Sequence, residues 1–200
     1  STASLESQRS EPNAMGSQAM SLALDVYKKG DIRAARSLDQ SIAALKAAKL
    51  DQVKKFHSAY YGANHSEFAL VGDFDSDATK ALMGQLFGDW KSQKTYARLK
   101  AEPKLPKANV IQLAAPDKAN AFFLAGLPLP LQDTQAEYVP LQLANRVLGG
   151  GVKSRLIDRL REKDGLSYGA GSQLNASSFE PVGMWVLYAI YAPQNLAKLK

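Results

Sequence analysis

The stretch from Leu148 to Leu174 places the tightest limits on how this chain can fold. It begins with three consecutive glycines, 149–151, and continues into a short segment in which Leu156 and Leu160 share one helical face. Gly165 predicts the end of that helix, because a residue without a Cβ takes the left-handed conformation at no steric cost. The sequence therefore predicts a turn, a short helix with one apolar face, and a sharp helix stop.

The segment that follows, Leu166 to Leu174, has the two-residue period of a β-strand. This alternation predicts that Tyr168 shares a face with Leu174, and that the opposite face, which carries two glycines, is bare enough for another backbone to approach it. The three glycines do not form a phosphate-binding loop, because Lys153 precedes Ser154 directly and the required Gly-Lys-Ser/Thr ending is missing. We therefore interpret them as a tight turn between two helices.

The first half of the chain has mainly helical periodicity. A short apolar run at Phe68–Gly72, bounded by turn residues, predicts a buried strand. Four helices are predicted: one over 5–29 with a break at Pro12, one over 39–49, one over 50–61 capped by Asp51, and one that opens at the carboxylates of 73–77 and ends at Gly88.

The second half has the patterns of strands around two helices. Strands at Val110–Leu113 and Ala119–Leu127 are predicted to pair about a turn at Ala115–Lys118, and Val182–Tyr191, apolar on both faces, is predicted to be a central strand. A helix is predicted over Tyr138–Leu148. The fold class that follows is α+β, with a mixed, largely antiparallel sheet flanked by helices. A stretch without periodicity separates the halves, which predicts units at 1–96 and 108–200 joined by a linker at 97–107.

Composition removes several classes of function. The net charge of +6 is spread evenly and forms no basic tail, so we expect no nucleic-acid partner. The longest apolar run, Met184–Ala192, is about half of the ~20 residues that a membrane-spanning helix needs. The absence of cysteine excludes disulfides, thiol catalysis and cysteine-ligated zinc, and leaves the redox compartment undecided. No signal peptide is visible, and we expect both ends to be cut, because Ser1 lies inside a predicted helix and another helix begins at Leu196.

Four segments, in this order and spacing, resemble the pitrilysin and insulinase family of zinc metallopeptidases, which includes the mitochondrial processing peptidases. They are 56–64 (FHSAYYGAN), 70–75 (LVGDFD), 86–90 (LFGDW) and 148–168, with LGGG, SRL, LREK and GLSY. The resemblance implies repeated α+β domains in two bowl-shaped halves that enclose a chamber in which peptides are cleaved. Residues 1–96 would close one domain and residues 108–200 would open the next, either as two half-domains or as one completed sheet. This is the region treated as the family's non-catalytic, C-terminal module.

The catalytic motif of that family is missing from this sequence. The motif, His-x-x-Glu-His, places two zinc-binding imidazoles and a water-activating glutamate on one helix. The only histidines here are His57 and His65, with Gly62 between them, and neither belongs to such a motif. The helix predicted at Tyr138–Leu148, at the position of the family's zinc helix, carries Leu141, Gln142, Ala144 and Asn145 instead. We therefore expect no metal, no cofactor and no catalysis in this chain, with zinc in the parent's catalytic domain.

Two residues still match a functional pattern of the family. In relatives whose closing domain faces the zinc, an arginine and a tyrosine seven positions apart hold the substrate backbone, and Arg161 and Tyr168 match them. A guanidinium keeps its charge while it donates to peptide carbonyls, and a phenol donates to a developing oxyanion. The alternative is that Arg161 is a solvated helix residue near Asp158 or Asp164, and that Tyr168 is strand packing.

Three functions remain open on the sequence. The first is a non-catalytic domain of a zinc metalloendopeptidase that forms chamber wall and contributes contacts to a peptide substrate. The second is a structural relative without a peptidase role, like the core subunits of respiratory complexes, and the third is a peptide-binding module that uses the edge of the Leu166–Leu174 strand. The expected partners are other domains of the same polypeptide or a partner subunit. The resemblance to bacterial relatives suggests a periplasmic or cell-envelope location.

Overall fold

The computed structural model describes residues 1–102 and 105–199 and has the α+β class that the sequence predicts. The chain divides into two compact units, one formed by Ser1–Ala43 with Lys100–Lys200 and the other by Ala44–Leu99. The predicted domain boundaries, at 96 and 108, concern the domains of a longer protein and stay a prediction. In the described part of the chain, no helix has the length and apolarity needed to cross a bilayer.

The first unit is built on a three-stranded antiparallel sheet. Its strands are β1 (Ala121–Leu129), β2 (Ser167–Ala176) and β3 (Gly183–Tyr191), in the spatial order β1-β3-β2. β3 is therefore central, as its two apolar faces predict. Its helices are α1 (Thr2–Ser7), α2 (Pro12–Ala23), α6 (Tyr138–Leu148), α7 (Arg155–Ile157) and α8 (Leu196–Leu199), with α3 (Leu38–Ala47) at the boundary between the units.

Helices cover both faces of this sheet. On one face α2 lies along β1, where a Cβ on Gly16 would be 3.5 Å from the Phe122 ring. On the other face Ala170, Ala189 and Tyr191 form a buried cluster. Leu156 and Leu160 pack against that cluster, which confirms the apolar helix face predicted from their spacing.

The predicted hairpin at the start of the second half is wrong. The turn exists, since the N–H of Lys118 donates to the carbonyl of Ala115 at 3.2 Å, but residues 110–113 are irregular and Val110 is 83% exposed. β1 instead pairs with β3 along its whole length. A four-residue run becomes a strand only where a neighbour offers a ladder, and no described strand flanks the outer edge of β1.

The helical structure observed within 5–29 is also shorter than predicted. Pro12 begins α2 and breaks the helix as predicted, but α2 ends at Ala23. The carboxylate of Asp25 then accepts from the N–H groups of Tyr27 and Ala35, at 2.9 and 3.0 Å. Such side-chain bonds compete with helical ones, so the chain leaves the helix before Gly30.

Arg33 fixes the loop that follows α2. Its guanidinium donates to the Lys100 carbonyl at 2.6 Å, pairs with Asp31, and lies 4.3 Å from the centroid of the Tyr27 ring. Hydrogen bonds from the Arg33 side chain lower the pKa of Asp31 to about 2. The loop and the backbone near residue 100 are therefore held together within the first unit.

The second unit contains α4 (Leu50–Tyr60) and α5 (Ser76–Phe87), and both helices were predicted. Asp75 caps α5, since its carboxylate accepts from the N–H groups of Asp77 and Ala78, each at 2.9 Å. The cap of α4 differs from the prediction, because the Gln52 side chain accepts from the N–H of Lys49, and Asp51 lies inside the first turn.

The predicted buried strand at Phe68–Gly72 is wrong. The segment is irregular, Phe68 is 64% exposed and Val71 is 97% exposed. The apolar pattern is present, but no residue described in this unit belongs to a strand that could pair with it. A strand pattern without a ladder leaves the backbone and its apolar side chains in solvent.

Candidate functional site

The two histidines lie in aromatic contacts. His57 stacks against Tyr61 and Trp90, with ring centroids at 4.9 and 5.9 Å, and His65 lies 5.9 Å from Tyr96. Within residues 1–102 and 105–199, no three side chains of the types that ligate metals form a group able to hold an ion. The donor set of the described residues therefore does not fit a zinc centre.

The helix at the position of the family's zinc helix is joined to the sheet by amides. Asn145 is buried, and its Oδ1 accepts from Ser172 Oγ at 2.7 Å and from Trp185 Nε1 at 3.0 Å. One turn earlier, Gln142 Nε2 donates to the Leu174 carbonyl at 3.0 Å. This face of α6 therefore contacts both β2 and β3. The sequence signal for these contacts is the spacing of the two amides, which lie three positions apart and therefore share one helical face.

The three-glycine turn joins α6 to the next helix, as predicted, and it also touches β2. Gly149 accepts a hydrogen bond from the N–H of Ser172 at 3.1 Å, so the loop backbone lies directly against the strand edge. A Cβ on Gly149 would be 2.5 Å from Ser172 Oγ and closer still to Ser172 N. On the face of β2 that carries the glycines, the side chain of Tyr188 lies against Gly171.

Arg161 lies in a widened helical turn. α7 continues as a π-helix over Asp158–Lys163, and Gly165, with φ of 60°, ends it as predicted. Arg159 pairs with Asp164 and Lys163 pairs with Asp158, both at 2.7 Å. The carboxylates of Asp158 and Asp164 are therefore paired with residues other than Arg161. Arg161 lies 3.5 Å from the carboxylate of Glu162, and 56% of its side chain is exposed.

A β-bulge determines where Tyr168 points. Ser167 pairs with Tyr191 and Gly169 pairs with Ile190, so Tyr168 is an extra residue in the ladder. The buried Ser167 hydroxyl lies 2.8 Å from the Gly169 carbonyl oxygen and 2.7 Å from that of Ile190. The predicted alternation, with Tyr168 on the face of Leu174, is therefore wrong: Leu174 is buried and Tyr168 is 79% exposed.

The bulge and the widened turn bring the two predicted residues together. The guanidinium carbon of Arg161 is 6.0 Å from the centroid of the Tyr168 ring, and both side chains reach solvent. Their exposure does not fit the packing alternative for Tyr168. Two adjacent hydrogen-bond donors, one permanently charged, can hold carbonyl oxygens of an extended peptide.

The chain is similar to proteins described as M16 peptidases or zinc proteases. A family model described as "Peptidase M16 inactive domain" matches residues 47–200. Curated relatives include an "Uncharacterized zinc protease" of Streptomyces coelicolor, 25% identical over 84% of this chain and 37% of the relative, and one of Mycobacterium leprae, 27% identical over 84% and 38%. A "Non-peptidase homolog" of Helicobacter pylori is 25% identical over 67% of this chain and 31% of the relative.

Solved structures of similar proteins have the same fold as this chain. A crystal structure titled "peptidase M16 inactive domain" from Pseudomonas fluorescens has a TM-score of 0.76 at 24% identity, over 95% of this chain and 44% of that chain. A protease from Helicobacter pylori has a TM-score of 0.61 at 20% identity, over 78% of this chain and 39% of that one. The chain thus spans less than half the length of the relatives that it matches.

Proposed function

The chain belongs to the peptidase M16 inactive-domain family, and on that premise we propose that it lines the chamber of a zinc metalloendopeptidase and contacts its peptide substrate. As an inactive M16 domain of zinc-protease-like proteins, it is not expected to catalyse hydrolysis alone. Zinc would be held by a catalytic domain elsewhere in the same polypeptide or in a partner subunit. The periplasm or cell envelope is the proposed location, which fractionation of cells would test.

The exposed pair formed by Arg161 and Tyr168 is the observation that carries this proposal. The Ser167 hydroxyl supports the bulge from the buried side, and Gly165 ends the helix just before the strand, so side-chain hydrogen bonds and a helix stop hold the backbone beside the pair. The Arg161 guanidinium would donate to a substrate carbonyl, and the Tyr168 hydroxyl would donate to an oxygen that gains negative charge during cleavage. Both roles need solvent-accessible donors, and both side chains are exposed.

In the full-length parent enzyme, Tyr168→Phe is expected to lower kcat by about tenfold or more, because the phenol hydroxyl would stabilise charge only in the transition state. Its thermal stability should change little, since the described residues give that hydroxyl no hydrogen-bond partner. Steady-state kinetics on a peptide substrate and a thermal melt measure the two effects. Tyr60→Phe, at another exposed tyrosine, is the matched control and should leave kcat unchanged. Unchanged kinetics in Tyr168→Phe would remove this residue from the mechanism.

The isolated 200-residue chain is expected to contain no stoichiometric zinc, because its described side chains offer no metal-ligating group. Elemental analysis of the purified chain after dialysis against a trace of zinc measures this directly. The full-length parent, treated in the same way, serves as the positive control. One zinc per chain in the isolated protein would contradict an inactive domain.

The second candidate is a structural role without any part in peptide cleavage. The similarity to a "Non-peptidase homolog" supports this candidate. The two candidates differ in the rest of the parent protein. An upstream domain with His-x-x-Glu-His supports the peptidase, and a parent without that motif supports the structural role.

A further inference from the structure

A polar cavity lies between α6 and the edge of β2. Its volume is about 430 Å³, and it is open to solvent. Its walls are Gln142, Asn145, Arg146 and Gly150 on one side and residues 172–175 of β2 on the other. The whole cavity lies within the first unit, and nothing in the proposed function above uses it.

The edge of β2 is closed at one end of the cavity and open further along. The N–H of Ser172 is taken by the Gly149 carbonyl, so no additional strand can continue past that residue. At Leu174 the carbonyl is taken by Gln142, but the N–H lies on the same side of the strand and faces the cavity. The open edge, residues 173–176, is about 13 Å long at ~3.3 Å per residue, which suits a segment of about four residues.

The charge of the cavity favours an anion at its closed end. Among the described residues that form the walls, Arg146 is the one ionisable side chain. One of its five N–H groups donates to the Gly150 carbonyl at 2.7 Å, which leaves four for a ligand. Asn145 is only 8% exposed and its Oδ1 is taken, while its Nδ2 has no acceptor among the residues that the structure describes. Donors therefore outnumber acceptors where an added strand must stop.

We propose that this cavity binds the C-terminal end of an extended peptide. The peptide backbone pairs with Leu174 at the open edge, and its α-carboxylate lies against Arg146 and the Asn145 amide, where Gly149 stops the added strand. Leu174 lies six positions after Tyr168 along β2, roughly 20 Å at ~3.3 Å per residue. The cavity is thus a second site, and its proposed role does not depend on that of Arg161 and Tyr168.

The test uses the 200-residue chain and two N-acetylated tetrapeptides of sequence Thr-Val-Thr-Val, one with a free carboxylate and one with a C-terminal amide. Titration is followed by the NMR signals of the Leu174 backbone amide and the Asn145 side-chain amide. The free acid is expected to shift both signals saturably. The amide is expected to bind at least about tenfold more weakly, because it lacks the charge-assisted hydrogen bonds. Equal affinity of the two peptides, or no saturable shift with the free acid up to millimolar concentration, would overturn the proposal.

Arg146→Gln separates the carboxylate contact from the strand pairing. In this variant the free acid is expected to bind no better than the amide, a loss of about tenfold, while circular dichroism shows an unchanged fold. Arg155→Gln removes the same charge from an exposed residue outside the cavity walls and should keep the preference for the free acid. Tyr168→Phe should also keep it, which separates this site from the proposed substrate contact. Full binding by Arg146→Gln would contradict the assignment.

Discussion

Gly149→Ala is expected to destabilise the first unit by about 2–4 kcal/mol, the cost of overpacking together with a lost hydrogen bond. The added Cβ would lie 2.5 Å from Ser172 Oγ and 2.9 Å from the Gly171 carbonyl carbon, and closer still to Ser172 N. These are mainly backbone atoms of a paired strand, which cannot rotate away as a side-chain tip can. The φ of Gly149 is −150°, outside the left-handed region that favours glycine, so the expected cost comes from these contacts.

Urea unfolding followed by circular dichroism measures this effect, and Gly151→Ala is the matched control. A Cβ on Gly151 would be 3.5 Å from the guanidinium carbon of Arg146, at the far end of a flexible side chain. This control should therefore change the free energy of unfolding by less than about 0.5 kcal/mol. Equal effects of the two substitutions would show that the contact between the loop and β2 does not stabilise the fold.

Asn145→Ala is expected to cost about 2–4 kcal/mol, because it removes the side-chain acceptor shared by a buried hydroxyl and a half-buried indole N–H. The Ser172 hydroxyl and the Trp185 indole both donate to Asn145 Oδ1, at 2.7 and 3.0 Å. The alanine methyl group would replace neither bond. The free energy of unfolding, measured in urea, should therefore fall more than for Leu143→Ala, at an exposed position of the same helix.

A double-mutant cycle tests the physical reason for that loss. Ser172→Ala removes one of the two donors, so the double variant should lose less stability than the two single changes together. Strictly additive losses would mean that the Asn145–Ser172 hydrogen bond does not contribute. The loss from Asn145→Ala would then come from its other contacts, including the hydrogen bond from Trp185 Nε1.

Local features of this chain could be predicted from its sequence. α5 has Asp75 as its cap and Gly88 at its end, and the helix after the glycine turn stops at Gly165, so both are fixed by residues within one turn of their ends. β3 was predicted as the central strand because its apolar run leaves no polar face. Each of these depends on neighbours in sequence, which are visible without the fold.

Features that need a distant partner were missed. Residues 68–72 and 110–113 have strand patterns, but a ladder partner decides whether such runs become strands. The exposure of Tyr168 depends on the register against Ile190 and Tyr191, which no local pattern encodes. In the sequence, Asn145 and Gln142 indicate only that the family's zinc motif is missing, because their partners lie on β2 and β3. The cavity could not be predicted, since its walls meet only after α6 packs on the strand edge.

Arg161 and Tyr168 match a family pattern in the sequence, and the structure gives the reason why both side chains are accessible. Neither helical periodicity nor strand alternation predicts that the two side chains lie together in solvent. Two irregularities, one extra residue in the ladder and one widened helical turn, produce that arrangement. Bulges and π-turns of this kind often re-aim side chains at functional positions.

The first unit is discontinuous in sequence, which has a consequence for how the chain folds during synthesis. α2 lies against β1, yet the whole of Ala44–Leu99 is translated between them. The amino-terminal helices therefore leave the ribosome long before the strand that covers them, and their packing must wait for the closure of a long loop. A nascent chain arrested before Ala121 should remain open to proteases over Ser1–Ala43, the part of the first unit that precedes the second.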